Sequence, residues 1–74
     1  MNITNKVGLR IKELRKIMSI TQEGLAFKAG IDRTYINSVE NGKRNISIIN
    51  LEKICIALDV EFKEFFNSSC FKEN

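Results

Sequence analysis

Apolar residues along the 74-residue chain recur at intervals of three and four, the spacing of one face of an α-helix. Val7, Ile11, Leu14 and Met18 draw a first stripe, which Ile17 widens. They predict a helix capped by Thr4 or Asn5 and running to about residue 18, with residues 1–5 frayed. Lys6, Arg10, Lys12, Arg15 and Lys16 fall on its other faces, and Gly8 is expected to weaken its first turn. Leu51, Ile54, Cys55 and Leu58 draw a second stripe, with Ile48 and Ile49 adding apolar surface ahead of it. That stripe predicts a helix over residues 48–58 with Ser47 as N-cap. A short last helix over residues 62–67 carries Phe62, Phe65 and Phe66. Three phenylalanines in five residues exceed what one narrow inward stripe holds, so an interface with another chain is favoured over a purely internal role. Residues 68–74 read as a tail whose Phe71 packs back.

Between the stripes lies TQEGLAFKAGIDRTYINSVEN, residues 21–41. Thr21 caps a helix over residues 22–28, although Gly24 stands where a capping box would have Glu or Gln. Gly30 can take the left-handed conformation of a sharp corner, and Asp32 then caps a helix from Arg33 to about Glu40. Leu25, Ala26, Ala29, Ile31, Ile36 and Val39 are the apolar positions, with Ala26 small where the two helices would cross. Arg33, Thr34, Asn37 and Ser38 stay outward, with Tyr35 at the edge. Such donors and acceptors suit the base edges of a major groove. The order helix, glycine turn, helix with a polar outer face is a helix-turn-helix pattern, though any small helical hairpin would also expose a polar face. Asn41-Gly42 is a stop signal, and Lys43, Arg44 and Asn45 follow it in a loop placed for phosphates or simply for solubility.

The pattern therefore predicts one all-α domain over residues 1–74, a bundle of five short helices with an ordered core over 6–67. So small a core needs tight packing or a partner. Charge sharpens the picture. Residues 1–44 hold nine Lys and Arg against four Asp and Glu, whereas residues 45–74 hold three against five. The basic half contains the two-helix unit, as an anionic duplex would require, unless the gradient is an accident of a solvated surface. Cys55 reads as a small core residue and Cys70 as a free thiol. With no histidine and two cysteines, the common zinc constellations are excluded, and neither metal nor cofactor is expected. There is no apolar run long enough to span a membrane, and the charged N-terminus argues against a secretory signal. No nucleophile beside a base and no phosphate-cradling glycine loop supports an enzyme.

Through TQEGLAFKAGIDRTYINSVENGKRN and ISIINLEKICIALDVEFKEFF, residues 7–66 resemble helix-turn-helix regulators of the phage Cro and repressor type, the lambda repressor-like domain. IDRTYI followed by GKRN and a serine looks most like the controller proteins of restriction-modification operons. The resemblance implies a cytoplasmic homodimer on near-palindromic double-stranded operator DNA, with two dimers on adjacent operators. It implies activation followed by repression, with RNA polymerase as a further contact, and no small-molecule ligand. By position it gives Arg33, Thr34, Tyr35, Asn37 and Ser38 to the bases, and Thr21, Gln22, Lys43, Arg44 and Asn45 to the DNA backbone. Arg15 and Glu40 match a structural ion pair of the family. Phe62, Phe65, Phe66 and Ile49 are the expected dimer seam. Ile46 replaces a proline common among relatives. The rival reading is an antitoxin or anti-repressor module that buries the phenylalanine patch against a different protein.

Overall fold

The computed structural model describes residues 1–72. Five helices follow in order: α1 (Ile3–Ile17), α2 (Gln22–Ala29), α3 (Arg33–Glu40), α4 (Ile48–Ala57) and α5 (Phe62–Phe66). A 3-10 turn over Ser69–Phe71 comes after them, and the described residues contain no strand. Glu73 and Asn74, the end of the expected tail, lie outside the described residues.

Side-chain oxygens start three helices. Thr21 accepts the Gly24 N–H at 2.9 Å, so a glycine at that position still completes the cap through its backbone. Ser47 accepts the Asn50 N–H at 3.0 Å. The first helix departs from expectation: Asn2, not Thr4 or Asn5, is the N-cap, accepting the Asn5 N–H at 2.9 Å. The helix therefore begins at Ile3, and Thr4 is free to donate to Asn45 Oδ1 at 2.9 Å. Asp32 sits at the N-cap position of α3 without a side-chain cap bond.

Helices α1 to α4 close with the same crossed pair of backbone hydrogen bonds around one left-handed residue. At the corner between α2 and α3, Gly30 (φ 68°) is that residue; its N–H reaches Phe27 O, and the Ile31 N–H reaches Ala26 O. Ser19 (φ 58°) and Asp59 (φ 56°) do the same for α1 and α4 without being glycine.

The core joins Val7, Ile11 and Leu14 of α1 to Leu25 and Ala26 of α2, Ile36 and Val39 of α3, Leu51, Ile54, Cys55 and Ala57 of α4, Leu58, and Phe65 of α5. Helix α3 is held between α1 and α2, and α2 also packs on α4. Ile17 does not widen the inward stripe; it is 72% exposed, because it lies off the arc through Val7, Ile11 and Leu14.

Gly8 has a role beyond a weakened turn. A Cβ there would stand inside the Val39 carbonyl oxygen and 3.0 Å from the Glu40 carbonyl oxygen. The backbones of α1 and the end of α3 thus meet directly, which only a residue without a side chain permits.

The phenylalanines divide. Phe65 is sealed in the core at 0% exposure, whereas Phe62 (38%) and Phe66 (41%) remain at the surface. As a dimer-seam residue Phe65 is therefore corrected: its side chain is enclosed within a single chain and offers nothing to another. Arg10 fixes α5 in this rotation, donating to Phe65 O at 2.7 Å and Glu64 O at 2.9 Å while pairing with Glu13. A cation on carbonyls at a helix C-terminus is favoured by the helix dipole. Phe71 packs back, its ring 5.0 Å from that of Phe66 and 6.2 Å from that of Phe65. Cys70, half-buried in the same turn, has its Sγ 3.9 Å from Lys6 O.

Candidate nucleic-acid interface

The outward side of α3 follows from the inward one. With Ile36 and Val39 buried against α1 and α2, Arg33, Thr34 and Asn37 stand exposed and border one shallow depression. Arg33 and Thr34 make no side-chain hydrogen bond among the described residues, so their full donor and acceptor capacity faces outward. Arg33 also borders an open hollow with Thr21, Gln22, Gly24 and Phe27, which brings the start of α2 beside the start of α3.

Tyr35 is half-buried, and Arg44 lies over its ring with the guanidinium carbon 4.8 Å from the centroid. This cation–π contact draws the loop after α3 back onto the helix. Asn45 is tied to α1 through Thr4, while Lys43 is exposed. Ser38 is half-buried, and its carbonyl accepts the Lys43 N–H at 2.9 Å. The Thr21 hydroxyl accepts its capping bond and keeps its own O–H to donate.

Beneath this surface lies Glu40, at 7% exposure the one buried charged residue among the described residues. Arg15 donates to it twice, from Nε at 2.7 Å and from Nη2 at 3.0 Å, and donates a third bond to Ile20 O at 3.0 Å. Hydrogen bonding to Glu40 outweighs the opposing loss of hydration and raises the Arg15 pKa above its ordinary value. The pair is neutral overall, so the buried carboxylate places no net negative charge under this surface. Gln22 Nε2 donates to Glu40 Oε1 at 3.0 Å. Asn37 Nδ2 donates to Gln22 Oε1 at 3.2 Å, and Asn41 Nδ2 donates to Asn37 Oδ1 at 3.3 Å. Asn37 is thus exposed yet held inward by its amide, which spacing alone does not reveal.

Helices α4 and α5 expose apolar side chains. Ile48, Ile49 and Ile56 of α4 are 68%, 65% and 72% exposed. Ile49 and Ile56 are seven apart, on one helix face, and Ile56 borders a depression together with Phe62. The spacing of Ile56 from Ile49 is visible in the sequence, whereas the contact of Arg10 with the end of α5 is not. No cluster of His, Cys, Asp and Glu that could hold a metal exists among the described residues, and none of their helices is long and apolar enough to cross a membrane.

Two short helices at a glycine corner, the second with a free polar face, make this a DNA-binding helix-turn-helix unit. The helix-turn-helix family model matches residues 11–65. The chain is 43% identical to control protein C.MunI of a Mycoplasma species, over 89% of this chain and 90% of that protein. Among solved structures it is similar to the restriction-modification controller protein C.AhdI from Aeromonas hydrophila, with a TM-score of 0.82 and 46% identity over 85% of this chain and 96% of that one. It is similar also to the restriction-modification controller protein C.Esp1396I, solved as a tetramer in complex with its natural 35 base-pair operator. That likeness has a TM-score of 0.85 and 41% identity over 89% of this chain and 87% of that one. The chain belongs to the helix-turn-helix family and, within it, to the restriction-modification controller proteins.

Proposed function

We infer that this chain is a sequence-specific double-stranded DNA-binding transcriptional regulator, the controller of a restriction-modification operon. The observation that carries the reading is the pair Arg33 and Thr34, exposed and without side-chain hydrogen bonds among the described residues at the start of α3, with the exposed cations Lys43 and Arg44 in the loop that follows the helix. Arg33 reads a guanine through its bidentate fork, and Thr34 touches a base or a thymine methyl. Tyr35, backed by Arg44, lies against the sugar-phosphate backbone and adjacent bases. Gln22 with the first free N–H groups of α2, and Lys43, Arg44 and Asn45, bind phosphates.

One reading helix presents too few side chains to select a site in a genome, so two copies related by a two-fold axis act together. Ile49, Ile56, Phe62 and Phe66 form the dimer seam, in place of a seam built on Phe65. Pairing links protein concentration to operator occupancy, which times the switch from activation to repression; activation adds RNA polymerase as a partner in the cytoplasm. The solved tetramer of C.Esp1396I on its operator supports a second dimer on an adjacent site.

The test is a mobility-shift titration on DNA immediately upstream of the gene for this chain, across a salt series, with Arg33→Ala alongside. A discrete complex that Arg33→Ala abolishes is expected. Smeared binding that falls steeply with salt and ignores the substitution would reduce the interaction to counterion release and overturn the reading.

A further inference from the structure

Resting on the DNA-binding reading above, we propose that Asn37 is a positioning residue that reads no base: it sets the amide of Gln22 for its phosphate, and Glu40 fixes the polarity of the whole relay. An asparagine that specifies adenine presents its oxygen and nitrogen together to the base edge. Here each of the two atoms already makes one hydrogen bond within the protein, which fixes the direction of the amide. Asn37 Nδ2 donates to Gln22 Oε1 at 3.2 Å, and Asn37 Oδ1 accepts from Asn41 Nδ2 at 3.3 Å.

The direction of each amide follows from chemistry. Glu40, which accepts from Arg15 on both oxygens, offers Gln22 only an acceptor, so Gln22 turns its nitrogen toward it. The Gln22 oxygen is then left on the other side, where it accepts from Asn37 Nδ2. The Asn37 oxygen in turn faces Asn41 Nδ2. An ion pair beneath the surface thereby propagates a defined donor and acceptor pattern through three amides on three parts of the motif. Rotation of any one of them would set like against like. The second N–H of Gln22 remains available to a phosphate oxygen. Base specificity on α3 then rests on Arg33 and Thr34, at the start of the helix.

The experiment selects operator sequences from a randomised oligonucleotide pool with the wild-type chain, Asn37→Ala, Gln22→Ala and the double variant. Affinities for the wild-type winner follow by titration. Side-chain amide NMR signals of the free proteins report on Gln22. Expected is an Asn37→Ala loss of roughly tenfold, the scale of one hydrogen bond, with the preferred base at every operator position unchanged. In a Gln22→Ala background the Asn37→Ala change adds no further loss, because it acts through Gln22. The Gln22 amide signal shifts in Asn37→Ala before any DNA is present. Asn37→Ser, which keeps a donor, recovers part of the affinity. A changed base preference in Asn37→Ala, or losses that multiply in the double variant, would overturn the proposal and leave the DNA-binding reading intact. Failure of the wild-type chain to enrich any sequence would overturn both.

Discussion

Removing the carboxylate of Glu40 should unfold much of what positions α3. Glu40 accepts three side-chain hydrogen bonds, two from Arg15 and one from Gln22, and its side chain is 2% exposed against 12% for Arg15. Glu40→Ala leaves the Arg15 charge enclosed with only the Ile20 carbonyl as partner. Breaking a buried pair from one side costs about 3–5 kcal/mol. A chain of this length has a total stability of roughly 4–11 kcal/mol, so about half is at stake. Glu40→Gln keeps the shape and one acceptor and should cost less. Arg15→Met with Glu40→Leu removes both charges and should recover most of the loss while leaving Gln22 without its anchor. Urea unfolding followed by far-ultraviolet circular dichroism reads these differences, at one protein concentration because self-association shifts apparent stability. Since the pair is shielded from water, 1 M salt should change the Glu40→Ala difference little. A loss below about 1 kcal/mol, or one that disappears in salt, would mean that the pair behaves as an exposed one and refute the reasoning.

Gly8→Ala drives a methyl group into the carbonyl oxygens at the end of α3 and should destabilise by about 1–3 kcal/mol or more, with operator affinity falling alongside; a thermal melt and a titration check this. Ile56→Glu should give a folded monomer that binds operator weakly, seen by sedimentation and circular dichroism, whereas Phe65→Ala should lose about 3–5 kcal/mol as a core truncation. Burial pushes the Cys55 thiol up to about 11 from its ordinary 9.0. The unfolded chain therefore loses this proton first, and the contribution of the buried thiol, whole below pH 9.0, is progressively lost as pH rises toward 11. Reduced wild-type protein should lose about 1–2 kcal/mol more than Cys55→Val between pH 8 and 10.5 in urea titrations, and equal losses would sink the argument.

What can be read along the chain and what cannot differ in range. The stripes through Val7, Ile11 and Leu14 and through Leu51, Ile54 and Leu58, the caps Thr21 and Ser47, and the corner at Gly30 were all set by the sequence alone. Each depends on residues within about two helical turns, where spacing dictates geometry. The polar outer face of α3 was legible for the same reason. The ends of α1 and α4 were less sharp, because Ser19 and Asp59 take the left-handed turn without a glycine to announce it. Tertiary structure alone decided the remainder. Gly8 reads as a weak point until α3 is laid against it, and nothing in the spacing tells that the exposed amide of Asn37 meets Gln22, fifteen residues away. Phe62, Phe65 and Phe66 could not be sorted by pattern, since five residues make barely more than one turn. Arg10, more than fifty positions distant, helps hold the rotation that buries Phe65 and leaves the other two at the surface. Contacts between segments far apart in the chain have no local signature, and here they determine which polar groups are free to meet a duplex and which apolar ones are free to meet a second copy.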